Sequence, residues 1–191
     1  GTSSLRRGAQ IRHMRSDIII VPLRGNVETR LKKLQTENMA AVVLAAAGVK
    51  RLNLEHRITE YLDFDIMLPA VGQGALSIEI RQNDPDIQSI IKTLDDPPTR
   101  AIVAGERAFL NYLGGSCQVP IAGHGEIKRN TFSLTGLVAD LDGSRILKAT
   151  LSGSTDSTES IGIRLAQQLL DQGADKILDK LQLMESANHG N

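Results

Sequence analysis

The feature that most constrains this fold is the alternation of helical patterns with short apolar runs over the first 54 residues. Helices are predicted at about Leu5–Met14, behind two serines that suit an N-cap, and at about Val27–Gln35. The apolar runs Asp17–Leu23 and Ala40–Ala46 are typical of buried strands. This α-β-α-β order predicts an α/β domain with parallel strands.

Capping signals mark the starts of further helices. Asn26 suits the cap of the second helix, and Asp84-Pro85 and Asp96-Pro97 each place an acidic cap before a proline. They predict helices at about Pro85–Leu94 and Pro98–Leu113. A short basic turn is expected at 49–54, and a loop at 68–74 leads into a predicted strand at 75–80.

The remainder of the chain has a different pattern, in which strands come first and helices follow. The strands are predicted at Gln118–Ile127, Thr131–Ala139 and Arg145–Ser152, and the helices at about Thr158–Gln172 and Lys176–Met184. Asp142-Gly143 is a favourable hairpin turn between the last two strands. The pattern predicts a second, α+β domain over about 115–191, ending in a frayed tail at 185–191.

Charge is distributed unevenly although the formal net charge is zero. Residues 1–57 contain eleven basic and four acidic side chains, whereas residues 58–191 contain eleven and eighteen. This asymmetry indicates an anionic partner at the N-terminal end: nucleic acid, a small polycarboxylate or a phosphate. No aromatic residue precedes Tyr61, which disfavours a single-stranded nucleic-acid site. No apolar run is long enough for a membrane span, and no secretory signal opens the sequence.

The arginines fall where helix dipoles disfavour cations. Arg6 and Arg7 lie in the first predicted turn of one helix, and Arg30 lies early in the next. A carboxylate bound there would offset that cost, use the free N–H groups and accept from the Ser4 hydroxyl. Arg24 and Arg51 follow the predicted strands, where α/β sheets bind ligands. These six residues predict an anion-binding cleft; a solvated basic face with scattered ion pairs is the alternative.

Cys117 is the only cysteine and lies in a loop between glycines and a proline. A lone thiol of this kind is a small buried hydrophobe, a nucleophile or an attachment point. His124 follows seven residues later, so a Cys/His nucleophile pair is considered. The histidines have no metal-ligand spacing, so no metal site is expected. Gly72-Gln73-Gly74 lacks the lysine and further glycines of a phosphate loop.

Six stretches in order make the chain similar to the hydroxymethylbilane synthase family, also called porphobilinogen deaminase. They are GTSSLRR from residue 1, LRGNVETR from 23, AAAGVKRL from 45, LPAVGQGA from 68, ERAFL from 106 and CQVPI from 117. Their order and spacing fit across essentially the whole chain. Ser116 departs from the glycine expected before the cysteine, but the residue remains small.

The resemblance implies a cytoplasmic transferase of tetrapyrrole biosynthesis that condenses four porphobilinogen molecules head to tail and releases ammonia at each step. It implies a dipyrromethane cofactor joined to Cys117 by a thioether. The implied cofactor-binding residues are Ser4, Arg6, Arg7, Arg24 and Gly48, and the implied substrate-binding residues are Arg24, Arg30 and Arg51. The partners implied are porphobilinogen and the growing pyrrole chain, without nucleic acid or membrane.

The resemblance also implies a domain organisation. Residues 1–74 are expected to form a periplasmic-binding-protein-like α/β lobe, incomplete at its N-terminus. Residues 75–96 are expected to pack in a first domain that this chain lacks, and residues 97–191 to form a small α+β domain with a three-stranded antiparallel sheet. The catalytic aspartate of the family belongs to that first domain, so the chain alone is expected to be inactive and the complete enzyme monomeric.

Two other functions remain open at this stage. A non-catalytic anion-binding α/β module would need the basic cluster but no loop thiol. A nucleic-acid-binding domain would use the basic N-terminal end and would lose affinity steeply as salt rises.

Overall fold

The computed structural model describes residues 1–115 and 119–188 of the 191-residue chain. The α-helices in these ranges are α1 (Leu5–Met14), α2 (Val27–Thr36), α3 (Ala46–Arg51), α4 (Pro85–Ile91), α5 (Pro97–Tyr112), α6 (Thr158–Leu169) and α7 (Asp175–Asn188). The strands are β1 (Ile121–Lys128), β2 (Thr131–Ala139) and β3 (Ile146–Ser154). The fold is therefore mixed, with helices around one antiparallel sheet.

Helix starts lie where the capping residues predicted them. The Asn26 side chain accepts from the Thr29 N–H at 2.8 Å, and the Asp84 side chain accepts from the Ile87 N–H at 3.2 Å. Local side-chain chemistry therefore determines these starts. The basic turn expected at 49–54 is wrong, because residues 46–51 form α3. The tail expected to fray from residue 185 is helical to residue 188.

The strands predicted in the first half of the chain are wrong. Residues 17–23, 40–46 and 75–80 contain no strand, and Ile19 and Leu76 are 85% and 92% exposed. Single hydrogen bonds join these segments to their neighbours in place of the regular hydrogen-bond ladder of a sheet. The Ser3 hydroxyl bonds both backbone groups of Leu23, at 2.8 and 3.0 Å, so that a side chain takes the place of a neighbouring strand. An apolar run indicates a preference for burial, but a strand also needs a backbone partner.

The three predicted C-terminal strands are confirmed as an antiparallel meander in the order β1-β2-β3. Alternation along β2 sends Phe132, Leu134 and Val138 into the main core with residues of α5, α6 and α7. The predicted turn at 142–143 is also confirmed, with Gly143 at φ +74°. This position needs the conformational freedom of glycine.

The outer face of the sheet is partly covered by the first half of the chain. Ala9 of α1 and Leu68 are buried against Ala122 of β1 and Leu137 of β2. A loop at 64–68 crosses the same face, where the Phe64 ring stacks on His124. The helix that carries Arg6 and Arg7 is thereby fixed to the C-terminal sheet. In the part of the chain that the structure describes, no helix has the length and apolar character to cross a membrane.

Candidate anion-binding site

The N-terminus of α1 presents a buried hydroxyl with no partner. Ser4 is the N-cap residue, with φ −81° and ψ 115°, but its side chain makes no capping hydrogen bond. Its Oγ is shielded from solvent and has no hydrogen-bond partner among the described residues. Buried hydroxyls are normally satisfied, and the N-terminus of a helix favours an anion. The position therefore suits a ligand oxygen.

Arg7 follows Ser4 by three residues in the first turn of α1 and lies near two other cations. Its Nη1 donates to the Val43 carbonyl oxygen at 3.1 Å. Burial lowers the pKa of Arg7, and the positive charges of Arg6 and Arg30 lower it further. The guanidinium groups of Arg6 and Arg30 therefore both lie within electrostatic reach of Arg7. A bound carboxylate would offset their repulsion, and a guanidinium fork matches carboxylate geometry.

Arg30 is oriented by the turn that precedes α2. Its Nε donates to the Gly25 carbonyl oxygen at 2.7 Å, and Gly25 has φ +121°. The preceding Leu23 is held by the Ser3 hydroxyl. These links bring the start of α2 beside the start of α1, which explains why residues far apart in sequence share one basic cluster.

Three other residues were predicted for the anion site, namely Arg24, Arg51 and Gly48. Arg24 is exposed in the turn between Leu23 and Gly25. Arg51 is exposed at the end of α3, and the Gly48 N–H already donates to the Ala45 carbonyl oxygen at 3.0 Å. An ideal Cβ on Gly48 would lie 3.5 Å from the side chain of Val27, the first residue of α2. The structure thus brings together Ser4, Arg6, Arg7 and Arg30.

Cys117 lies outside the described residues, so its predicted roles stay predictions. Its suggested partner His124 lies on β1 with its ring stacked on Phe64, the centroids 3.7 Å apart. Burial lowers the pKa of His124, against an opposing effect of Glu126. The stacked ring of His124 has a packing role here. Within 1–115 and 119–188, no cluster of three or more His, Cys, Asp or Glu side chains suits a metal ion.

Two buried polar residues that hold the site in place were not predicted. The Glu106 carboxylate accepts from the N–H groups of Gly72 and Gly125, at 2.6 and 2.7 Å. Burial raises the pKa of Glu106, and both hydrogen bonds oppose that rise. Gln10 similarly bonds both backbone groups of Leu68. A polar residue on the buried face of an amphipathic helix could have indicated these two residues in the sequence. Glu106, for example, lies one turn before Phe109 on the buried face of α5.

Comparison with known proteins gives two family matches. Residues 1–89 match the model described as porphobilinogen deaminase, dipyromethane cofactor binding domain. Residues 101–171 match the model described as porphobilinogen deaminase, C-terminal domain. The basic cluster lies within the first match and the antiparallel sheet within the second.

Curated relatives with the name porphobilinogen deaminase are similar over almost the whole chain. The protein from Syntrophotalea carbinolica is 50% identical over 183 residues, which are 96% of this chain and 58% of the relative. That from Carboxydothermus hydrogenoformans is 48% identical over 181 residues, or 95% and 58% of the two chains. That from Geobacter metallireducens is 49% identical over 187 residues, or 98% and 59%.

The chain therefore spans a little under three fifths of the length of these relatives. Both family models and the relatives agree with the resemblance carried by the six sequence stretches. On these grounds, the chain belongs to the porphobilinogen deaminase family.

Proposed function

We propose that this chain provides the cofactor- and substrate-binding part of a hydroxymethylbilane synthase, which joins four porphobilinogen molecules head to tail with release of ammonia. The observation that carries the proposal is the orphan Ser4 hydroxyl at the N-terminus of the helix that carries Arg6 and Arg7, with Arg30 within electrostatic reach of Arg7. Acidic pyrroles need fixed cations, and arginine keeps its charge at every relevant pH. Activity in the cytoplasm is part of the same proposal.

The residues present fit a dipyrromethane cofactor. The group carries several carboxylates, and the N-terminus of α1 combines a buried hydroxyl, helix N–H groups and arginines. When bound, it would supply the pyrrole to which the first porphobilinogen is joined. Ser4, Arg6 and Arg7 would hold its carboxylates, with Arg24 at the edge and Cys117 as the thioether anchor. Gly48 would also line the cofactor site, and Arg24, Arg30 and Arg51 would hold the incoming substrate.

The same proposal covers the domain organisation. We assign residues 1–74 to an α/β lobe of the periplasmic-binding-protein type, in which hydrogen bonds between separate segments take the place of the predicted strands. Support comes from Gly1–Ser3, which lies between residues 21–23 and 41–43 and is bonded to both. Residues 97–191 form the C-terminal unit in this assignment. Residues 75–96, in which Leu76, Ile90 and Leu94 are largely exposed, are the segment that we expect to pack in the first domain of the complete enzyme.

The experiment uses a chimera in which these 191 residues replace the matching stretch of the Syntrophotalea carbinolica protein. Porphobilinogen consumption and ammonia release measure turnover, and intact mass measures the attached cofactor. We expect turnover and a mass excess equal to dipyrromethane, which is lost in Cys117→Ser. A correctly folded chimera that neither binds porphobilinogen nor gains mass would contradict the proposal. Binding without turnover would favour the non-catalytic anion-binding module.

Substitutions in the cluster test the residues. Arg7→Leu should abolish turnover, because it removes the central guanidinium. Ser4→Ala should weaken porphobilinogen binding about tenfold, the effect of one hydrogen bond to a charged group. Lys32→Leu removes an exposed cation from α2 and is the matched control, with activity expected near that of the parent. If Arg7→Leu and Lys32→Leu behave alike, Arg7 does not belong to the site.

A further inference from the structure

Helix α1 carries the basic cluster at one end and is attached to the C-terminal sheet at the other. Ten residues make the helix about 15 Å long. In its last turn, Arg12 Nη1 donates to the Leu141 carbonyl oxygen at 2.9 Å, and His13 Nδ1 lies 2.9 Å from the Gly143 carbonyl oxygen. Both acceptors belong to the β2–β3 turn, which is far from Arg6 and Arg7 in sequence.

The β2–β3 turn approaches the backbone of α1 so closely that only glycine fits. An ideal Cβ on Gly143 would lie 2.5 Å from the Ala9 carbonyl oxygen and 2.8 Å from the His13 nitrogen. Both contacts are with backbone atoms, which cannot move aside as a flexible side chain does. Gly143 also has φ +74°. The turn and the helix therefore fit together in one arrangement.

Gln10 provides a second attachment in the middle of the helix. It is buried, and its Oε1 accepts from the Leu68 N–H at 2.8 Å while its Nε2 donates to the Leu68 carbonyl oxygen at 3.1 Å. The same Nε2 lies 3.1 Å from the Arg6 carbonyl oxygen. One side chain thus connects the backbone of a cluster residue to the loop at 68–74. This contact restricts rotation of α1 about its axis.

We propose that Gly143 and Gln10 are positioning residues for the arginine cluster. These two residues fix the position of α1 along its axis and its rotation about that axis. Arg7 is thereby placed where its guanidinium reaches the Val43 carbonyl oxygen. Neither residue need contact the ligand. Binding geometry is sensitive to displacements of about 1 Å, so a small shift of α1 weakens anion binding. The choice of porphobilinogen as ligand rests on the proposed function. The attachment of α1 through Gly143 and Gln10 does not depend on it.

The test compares Gly143→Ala with Gly173→Ala in the chimera. Gly173 also has positive φ, at +97°, but its Cβ would meet only the end of the flexible Arg145 side chain and no backbone atom. Hydrogen exchange of the amides of residues 8–11, which are hydrogen-bonded within α1, reports opening of its first turns, and calorimetry reports porphobilinogen affinity. We expect Gly143→Ala to accelerate this exchange and weaken affinity by about tenfold or more. Gly173→Ala should change neither.

Gln10→Met, with exposed Gln167→Met as its control, provides the same test if Gly143→Ala does not fold. A purely structural role would lower the melting temperature but leave the affinity of folded molecules unchanged, and that result would overturn the proposal. Unchanged exchange at residues 8–11 would also overturn it. If the parent does not bind porphobilinogen but Gly143→Ala still accelerates exchange, the positioning role stands and the proposed function fails.

Discussion

Three buried polar side chains have different roles at the scale of single residues. Glu106 and Gln10 satisfy backbone groups of the loop at 68–74, whereas the Ser4 hydroxyl satisfies nothing in the described chain. A buried polar group without a partner costs about 1–3 kcal/mol. The first two side chains therefore stabilise the fold. The Ser4 hydroxyl instead destabilises the fold, and a hydrogen bond to a ligand would offset this effect.

Glu106→Ala should lower the free energy of unfolding by about 2–4 kcal/mol, because it leaves the N–H groups of Gly72 and Gly125 without acceptors. Glu106→Gln keeps one acceptor and should lose less. Urea denaturation measures both. Glu126→Ala, which removes a more exposed carboxylate paired with Lys128, should cost less than about 1 kcal/mol. Equal losses of unfolding free energy for Glu106→Ala and Glu126→Ala would show that the hydrogen bonds from Gly72 and Gly125 to Glu106 contribute little.

At the scale of elements, α5 and α6 can cross closely because both lack side chains at the crossing. An ideal Cβ on Gly162 would lie 2.9 Å from the Phe109 nitrogen and still closer to the Gly105 carbonyl oxygen. Gly105 has the same restriction, 2.7 Å from the Phe132 ring. The two glycines therefore allow the helices to pack backbone to backbone over the sheet.

Gly162→Ala should destabilise the protein by at least about 1–3 kcal/mol, because the added methyl group forces the two helices apart. The matched control is Gly8→Ala in α1, where an ideal Cβ would have no contact closer than 3.7 Å. Alanine favours the helix there, so Gly8→Ala should be neutral or stabilising by up to about 1 kcal/mol. Thermal unfolding compares them. Similar melting temperatures for the two variants would argue against a tight crossing.

At the scale of the whole molecule, the two halves of the chain meet on the outer face of the sheet. Phe64 stacks on His124, and Lys148 Nζ donates to the Asp65 carbonyl oxygen at 3.3 Å. With Gln10 and the β2–β3 turn, these contacts fix the basic cluster relative to the C-terminal sheet. The site therefore depends on packing at some distance from it.

Acid should weaken the contact between Phe64 and His124. Burial lowers the folded-state pKa of His124, so the unfolded chain binds this proton more readily. The contribution to stability is present above the unfolded pKa of about 6.5 and is lost as pH falls through the lower folded value. Glu126, which opposes this shift, and Lys128, which adds to it, are the charges that act on the ring. Urea denaturation at several pH values between about 5 and 8, on both sides of about 6.5, measures this loss of stability.

His124→Phe should keep the stack and remove this part of the pH dependence. Exposed His56 provides the control, because His56→Gln should leave the dependence as in the parent. If parent and His124→Phe lose stability equally on acidification, His124 is not the group responsible.

Local signals in the sequence determined much of this protein. Asn26 and Asp84 predicted helix starts, and alternation with Asp142-Gly143 predicted the antiparallel strands, because caps and turns act between near neighbours. The position of arginines at helix starts predicted a basic cluster. The six matched stretches indicated the family before any geometry was known.

Only the tertiary structure decided which of these residues meet. It grouped Arg7 with Arg6 and Arg30, and it gave Leu23 a serine hydroxyl in place of a strand partner. It also set Gly143 against α1 across more than a hundred residues. Contacts of this kind depend on packing between distant segments, whereas sequence patterns report the preferences of each segment alone.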